Sequence, residues 1–298
     1  MNRHRLSCML LASLGLLLAC SLRAESLPFD LVFKGRGRYD QIVSQAAKNA
    51  PAIAALPIGE RVAYFGKMLV GTPYKGYTLE VHNRIEAPVV NLVGLDCWTF
   101  FETALAFARM AERPPAEWSP QLLREYIERD RYWGGRCDGT YTSRLHYLED
   151  WAKDNDRRGL VDDLTGELGG IRVKNAAIEM TRNWRHYPYM AASAKVRADI
   201  TKLEERLRSR PLVMIPKSRV PAIVSRLKTG DIISIVTKDG AAYGTSHVGL
   251  AIRQNGVLRF MHASAPRNAG KVIIDQSLPA YLNKFSSTAG IMVARPLK

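Results

Sequence analysis

The sequence predicts an α+β fold, because helical and strand patterns occupy different parts of the chain. Segments of helical period, such as residues 58–69 and 93–111, fill the earlier part, and short β-rich runs follow residue 227. This segregation is typical of an antiparallel sheet with helices packed against it. The chain has 298 residues and 47% hydrophobic content, enough for a large core. We expect one domain over residues 25–298, with a helical insertion at about 112–226.

Residues 1–24 have the pattern of an export signal. Arg3 and Arg5 form a basic start, and a short apolar segment follows at residues 6–19. Cleavage after Ala24 would release a secreted protein. Alternatively, the run Leu-Leu-Ala-Cys ending at Cys20 resembles a lipoprotein signal, in which that cysteine is lipidated. We therefore expect a periplasmic protein, either secreted or held at the outer membrane, with membrane contact only through a lipid anchor at Cys20.

A cysteine at the start of an apolar helix is the central feature of the sequence. Asp96 is a good N-cap, and the apolar run that follows it begins with Cys97. First-turn N–H groups and the helix dipole favour a thiolate, so we expect a lowered thiol pKa. A cysteine hydrolase would place its nucleophile here. Two alternatives stay open: Cys97 packs as an ordinary buried thiol, or it forms a disulfide with Cys137.

Two histidines are predicted to meet on neighbouring late strands. The Asn-Gly pair at residues 255–256 is a strong hairpin signal. The register that this turn implies places His262 opposite Gly249, so His247 and His262 share one face as diagonal neighbours. One imidazole would take the thiol proton and the other would fix its tautomer. For either ring alone, an ordinary core histidine is the simpler interpretation.

Two polar segments have weaker signals. Residues 132–151 are dense in aromatic, arginine and histidine side chains, which is equally typical of a binding surface and of a packed helix with an exposed polar face. Residues 190–210 form a polar amphipathic helix, and charged pairs at i,i+4 such as Glu204 with Arg208 favour a solvated face.

Composition argues against other chemistries. The chain lacks HExxH and paired CxxC motifs, and His82, His146 and His186 are scattered, so we expect no metal and no other cofactor. The net charge of +15 favours anionic partners. No basic helix with interleaved aromatics indicates nucleic acid, and for an exported protein the cell envelope is the commoner anionic partner.

Several short motifs in order along the chain resemble the NlpC-type peptidoglycan hydrolases, which are papain-like cysteine enzymes. The motifs are Gly71-Thr72-Pro73-Tyr74, Asp96-Cys97, Thr229-Gly230-Asp231-Ile232, Ser246-His247-Val248-Gly249-Leu250 and Phe260-Met261-His262-Ala263. The resemblance implies a papain-like antiparallel sheet packed on a buried catalytic helix. It also implies Cys97 as nucleophile, His247 as general base and acid, and His262 as the orienting residue.

Departures from the usual pattern point to a distinct branch of these hydrolases. The common Asp-Cys-Ser-Gly is replaced here by Asp-Cys-Trp-Thr at residues 96–99. The branch, once called a domain of unknown function, has members similar to N-acetylmuramoyl-L-alanine amidases that favour 1,6-anhydro-muropeptides. By that resemblance the substrate-binding candidates are Tyr74, Asp96, Trp133 with its loop, and Arg144.

The sequence thus predicts a cysteine amidase that cleaves the bond between N-acetylmuramic acid and L-alanine in peptidoglycan or soluble muropeptides. One rival is a D-glutamyl–diaminopimelate endopeptidase with the same thiol chemistry. Another is a non-catalytic, peptidoglycan-binding envelope protein on the same fold. A nucleic-acid binder is a third and weaker rival.

Overall fold

A computed structural model describes residues 27–297 of the chain. The predicted export signal, with Cys20 and both cleavage sites, lies outside the described residues. Within them, helices pack against an antiparallel sheet, so the predicted α+β class is confirmed. Between residues 27 and 297, no helix combines the length and the apolar character that a membrane crossing needs.

Most helices of the described residues precede residue 210, and the longer strands follow it. The helices are α1 (Phe29–Val32), α2 (Arg36–Ala47), α3 (Ala50–Ala55), α4 (Ile58–Met68), α5 (Cys97–Met110), α6 (Pro120–Arg131), α7 (Leu148–Arg157), α8 (Glu179–Arg182), α9 (Pro188–Ala192), α10 (Ala194–Arg208), α11 (Val220–Ile223) and α12 (Leu278–Asn283). The strands are β1 (Phe33–Lys34), β2 (Val90–Asn91), β3 (Val161–Asp163), β4 (Ile171–Val173), β5 (Leu212–Pro216), β6 (Ile232–Asp239), β7 (Ala242–Gln254), β8 (Val257–Ala263), β9 (Val272–Ser277) and β10 (Thr288–Pro296).

The main sheet has the order β4-β5-β10-β6-β7-β8-β9, and β3 also pairs with β10. All of these pairings are antiparallel. One face of β7, with Val248, Leu250 and Ile252, is buried in the larger core beneath α4 and α5. The other face is covered by a smaller core that includes Phe260 of β8 and Tyr281 of α12. The sheet therefore carries helices on both faces.

The hairpin between β7 and β8 has the predicted turn and register. Gln254 pairs with Val257, and the pairing continues regularly toward the histidines. Asn255 and Gly256 have φ values of 51° and 77°, the left-handed conformations that a tight two-residue hairpin requires. Close packing also explains Gly249, since a Cβ there would lie 2.8 Å from the Cβ of His262. The lack of a side chain at Gly249 lets β8 bring His262 close to β7.

Helix α5 begins where the sequence predicts and is buried from Thr99 onward. The Asp96 carboxylate accepts a hydrogen bond from the backbone N–H of Thr99 at 2.8 Å, and the Thr99 hydroxyl accepts one from the N–H of Asp96 at 3.0 Å. This reciprocal cap satisfies two of the free donors at the helix start. The Cys97 position is therefore fixed by a local cap as well as by core packing.

Two charged residues of α5 are buried but paired. Glu102 accepts from Arg131 of α6 at 2.7 Å, and Arg109 pairs with Asp130 of the same helix. Buried charges are tolerated only when they are paired and hydrogen-bonded, so α5 and α6 must pack in one register. These pairs fix α5 against α6.

The expectation of a solvated face for residues 190–210 is wrong at Glu204. The chain divides there into α9 and α10, and the Glu204 side chain is fully buried. Its carboxylate accepts from the Tyr147 hydroxyl at 2.6 Å and from the N–H of Met180 at 2.9 Å. The i,i+4 spacing of the charges does not indicate this burial, because the hydrogen-bond partners of Glu204 come from distant parts of the chain.

Candidate active site

Cys97 lies at the first turn of α5, partly buried, where the helix meets β7. The backbone N–H of Val248, the residue after His247, hydrogen-bonds to its sulfur. Within residues 27–297, Cys97 and Cys137 both carry free thiols, so the disulfide alternative is contradicted. The structure thus places the sulfur beside the strand that carries the first histidine.

The expectation of a lowered thiol pKa is wrong. Burial, followed by the neighbouring Asp96 carboxylate, raises the pKa of Cys97 to about 12. The N–H groups of Val248, Trp98 and Cys97 itself act in the opposite direction but do not outweigh burial. The helix start favours a thiolate, as expected, but the desolvation that a buried helix imposes is the larger effect. The resting sulfur is therefore a protonated thiol.

His247 and His262 are hydrogen-bonded to each other, as the hairpin register predicts. Nε2 of His247 lies 2.7 Å from Nδ1 of His262, and the ring planes are perpendicular at 89°. Burial lowers the pKa of His247 to about 3 and that of His262 to about 4. Both rings are therefore neutral at physiological pH, which is the state in which an imidazole can accept a proton.

Asp275 on β9 continues the series beyond His262. Its Oδ2 lies 3.5 Å from Nε2 of His262, and Lys284 donates to the same carboxylate at 3.0 Å. Burial raises the pKa of Asp275, but hydrogen bonds from Gln276 and Lys284 outweigh it and the net shift is downward. An ionised carboxylate only accepts hydrogen bonds, so the proton of neutral His262 belongs on Nε2.

This proton placement determines the tautomer of His247. With its proton on Nε2, His262 presents the lone pair of Nδ1 to its partner. His247 must then donate from its own Nε2, which leaves Nδ1 of His247 as a free acceptor. The arrangement Asp275–His262–His247 therefore produces a neutral imidazole with one basic nitrogen available. That nitrogen belongs to a ring lining the same cavity as Cys97.

Tyr74 is the substrate-binding candidate that the structure places nearest this chemistry. It lines a cavity of about 420 Å³ together with Cys97, His247 and His262. Burial, followed by the nearby Cys97 and Asp96, raises the pKa of its hydroxyl, which therefore stays a hydrogen-bond donor. Asp96 also borders the cleft, but its carboxylate caps α5 through Thr99.

Arg144 borders the cleft, whereas Trp133 lies elsewhere. Arg144 is buried, with its guanidinium 2.5 Å from Glu80 and 3.7 Å from Glu86. Burial alone would lower its pKa, but these two carboxylates raise it, so the cation is held in an internal pair. Trp133 packs against Arg206 at 5.1 Å, and none of the cavities that Cys97 lines in the described residues includes it.

Several residues of the cleft escape prediction from the sequence. Asp275 and Lys284 belong to β9 and to the end of α12, two elements that were not predicted, although the β-rich run at residues 272–277 offers a signal. His146, one of the scattered histidines, borders two of the cavities, where its Nε2 lies 2.7 Å from the carbonyl oxygen of Tyr141. Arg267, in the loop after β8, lines the cavity that holds the three catalytic candidates Cys97, His247 and His262.

Comparison with known proteins gives consistent similarities. The model of a family described as N-acetylmuramoyl-L-alanine amidase-like matches residues 64–291, a range that includes Cys97, His247 and His262. A crystal structure of an N-acetylmuramoyl-L-alanine amidase from Bacteroides uniformis is 29% identical, with a TM-score of 0.71, covering 81% of this chain and 99% of that chain. No curated protein matches the chain significantly.

Two further crystal structures are similar in fold. A protein from Bacteroides fragilis, provisionally named a xylanase, is 34% identical with a TM-score of 0.68, covering 78% of this chain and 99% of that one. The protein LPG0564 from Legionella pneumophila is 21% identical with a TM-score of 0.64, covering 88% of this chain and 97% of that one. At that identity the Legionella protein supports the fold alone.

Proposed function

The chain belongs to the N-acetylmuramoyl-L-alanine amidase-like family, and on that premise we propose that it hydrolyses the amide between N-acetylmuramic acid and L-alanine in muropeptides. The supporting observation is the hydrogen-bonded series from His247 through His262 to Asp275, which ends at the cavity lined by Cys97. A nucleophile, a base and an orienting group in one cleft are the requirements of covalent amide hydrolysis.

The first step of the proposed reaction forms a thioester. Nδ1 of His247 takes the thiol proton of Cys97 as the sulfur attacks the lactyl carbonyl of the muramic acid. The backbone N–H of Cys97 and the hydroxyl of Tyr74 would donate to the oxyanion, a type of interaction worth ~3 kcal/mol. Nε2 of His247 stays bonded to His262 throughout, and Asp275 stabilises the positive charge that develops on the histidine pair.

The second step releases both products. The protonated His247 gives its proton to the L-alanine nitrogen as the C–N bond breaks, and the free peptide leaves. A water molecule then gives a proton to His247 and attacks the thioester, and the sulfur departs and recovers its proton. The muramic acid lactyl group ends as a carboxylic acid, so the step consumes one water for each amide cleaved.

The finer points of the proposal rest on sequence resemblance. They are membership of the NlpC-type, papain-like superfamily, a preference for the 1,6-anhydro form, export to the periplasm and a possible lipid anchor at Cys20. The residues of the cleft would perform the same chemistry on sugars in either form. The proposed reaction uses protein groups and water, and its partner is peptidoglycan or its soluble fragments.

Product masses from a purified 1,6-anhydro-muropeptide test this function directly. The amidase releases a peptide that begins with free L-alanine, and leaves the sugar with a lactic carboxylate. A sugar that keeps L-alanine and D-glutamate would favour the D-glutamyl–diaminopimelate endopeptidase instead. Intact muropeptide beside cleaved xylan would favour the activity named for the Bacteroides fragilis neighbour. Binding of muropeptides without any cleavage would favour the non-catalytic envelope protein.

A further inference from the structure

Three cavities border Cys97, and they differ in charge. On the histidine side, the cavity of about 420 Å³ is lined by two cations, Arg267 and Lys238, and by no acidic side chain of the described residues. On the other side, a cavity of about 380 Å³ is lined by Glu80 and Glu179, along with the paired Arg144. Cys97 borders both cavities and also a third of about 370 Å³, so a substrate that reacts there can extend from one charge environment into another.

The cations on the histidine side are available for a ligand. Within residues 27–297, the side chains of Arg267 and Lys238 make no salt bridge, and both are exposed. By contrast, Arg144 is bound to Glu80, and Arg182, in the third cavity bordering Cys97, is bound to Asp239 at 3.0 Å. An unpaired guanidinium at the edge of a cleft is well suited to bind a carboxylate through two parallel hydrogen bonds.

Proton transfer limits which part of the substrate can occupy this side. The leaving nitrogen must approach His247, because that ring supplies its proton. His247 lines the cationic cavity and the third cavity that borders Cys97, whereas neither histidine lines the cavity with Glu80 and Glu179. Proximity to His247 therefore allows the leaving group in either of the cavities that this ring lines. The third cavity is lined by Glu149, Glu179 and Asp239, so an anionic leaving group favours the cationic side, and the acyl group then lies on the acidic side.

The chemistry of a muropeptide matches both sides. Its leaving group is a peptide in which L-alanine is followed by a γ-linked D-glutamate, whose α-carboxylate is free. Its acyl group is an uncharged sugar whose hydroxyls can donate to carboxylates. Rings of Tyr77 and Tyr187, with centroids 5.9 Å apart, border the acidic side and provide apolar surface against which a sugar can pack.

We propose that Arg267 binds the α-carboxylate of the D-glutamate in the departing peptide and so determines specificity for the charged form of the stem. This inference rests on the proposed amide hydrolysis and adds the direction in which the substrate lies. Lys238 lines the same cavity and adds positive charge without the planar geometry of a guanidinium. The sugar then occupies the side with Glu80 and Glu179.

Two substrates that differ only in this carboxylate test the proposal. They are 1,6-anhydro-N-acetylmuramoyl-L-alanyl-γ-D-glutamyl-diaminopimelate and the same compound with the α-carboxylate of D-glutamate converted to an amide, and kcat/KM is measured for each. The wild type should cleave the carboxylate about 10- to 100-fold faster, which is the range for one charge-assisted hydrogen bond. Arg267→Ala should lose this preference, through a larger fall in kcat/KM on the carboxylate than on the amide. Arg267→Lys should keep part of it, and Arg172→Ala, at the exposed edge strand β4, should keep all of it.

The outcomes separate this inference from the function on which it rests. Equal cleavage of the two substrates by the wild type would overturn the role of Arg267 and leave the amidase proposal standing. An equal loss on both substrates in Arg267→Ala would also overturn it, because the arginine would then act without regard to the carboxylate. A wild type that cleaves neither substrate would refute the amidase proposal and the inference together.

Discussion

The two sides of the active cleft are held in different ways. On the helix side, Cys97 is positioned by the reciprocal Asp96–Thr99 cap within one turn and by burial of α5. On the strand side, His247 is oriented through His262 and Asp275, and the series ends at a lysine whose side chain is 44% exposed. On the helix side, burial therefore fixes the position of the Cys97 sulfur but raises the pKa of the thiol. On the strand side, residues distant in sequence determine which nitrogen of His247 carries the proton.

This difference determines the resting state of the site. Burial raises the pKa of Cys97 to about 12 and lowers that of His247 to about 3, so both groups are neutral at physiological pH. A lowered thiol pKa would instead have produced a preformed thiolate–imidazolium pair. In the proposed reaction the thiol proton therefore moves to His247 as the sulfur attacks, which makes the orientation of the imidazole decisive.

Removal of the Cys97 sulfur, the reactive group on the helix side, is expected to have the largest effect on activity. Cys97→Ala should lower kcat/KM on muropeptides by at least ~10⁴-fold, because loss of a nucleophile leaves only binding and oxyanion stabilisation. Circular dichroism and the unfolding midpoint should change little. Cys137→Ala is the matched control, since it removes the other described thiol and should keep full activity. Comparable losses in the two variants would contradict the assignment.

Changing the charges of Asp275 and Lys284, beyond His262, tests the strand side. We expect Asp275→Asn to lower kcat by about 10-fold. The amide can place an N–H opposite His262 and favour the wrong tautomer. The pH profile provides the sharper test. Because the folded-state pKa values of the histidines are depressed to about 3 and 4, activity should persist at mildly acidic pH and be lost as the pH falls through about 4.

The two charges should move this acidic limb in opposite directions. Asp275 raises the pKa of His262, so Asp275→Asn should shift the limb to lower pH. Lys284 lowers the pKa of His262, so Lys284→Met should shift the limb to higher pH. Profiles of kcat/KM for the three proteins measure both shifts. A limb that stays unchanged in both variants would mean that the carboxylate only supports the fold.

Weakening the Asp96–Thr99 cap has the smallest expected effect. Comparison of Asp96→Ala with Asp96→Asn separates the contribution of the cap to stability from the effect of the carboxylate charge on the thiol. Asp96→Ala should lower the free energy of unfolding by about 1 kcal/mol, because the N–H of Thr99 loses its acceptor. Asp96→Asn keeps a good cap and should leave stability nearly unchanged. Both variants remove a charge that raises the pKa of Cys97, so alkylation of the thiol should begin at lower pH. Denaturant unfolding measures the change in stability, and the rate of iodoacetamide alkylation against pH measures the change in the thiol pKa. Equal stability of Asp96→Ala and Asp96→Asn would argue against the cap.

Local signals in the sequence predict the positions of Cys97, His247 and His262, because a cap and a tight turn act over a few residues. The Asn-Gly turn determines the hairpin register, and the register determines the histidine contact. The raised thiol pKa escaped prediction because it depends on how much chain covers the helix start. Asp275 and the buried Glu204 escaped it because their partners, His262 and Tyr147, come from other elements.

Mass spectrometry of the acid-quenched enzyme during turnover of a 1,6-anhydro-muropeptide tests the thiol mechanism most directly. We expect a thioester on the peptide that contains Cys97, with a mass increment equal to the anhydro-muramoyl group and no amino acid. Hydroxylamine should remove this increment, and the Cys97→Ala protein should lack it. An acyl group on any other residue, one that includes L-alanine and D-glutamate, or full turnover by Cys97→Ala would contradict the mechanism.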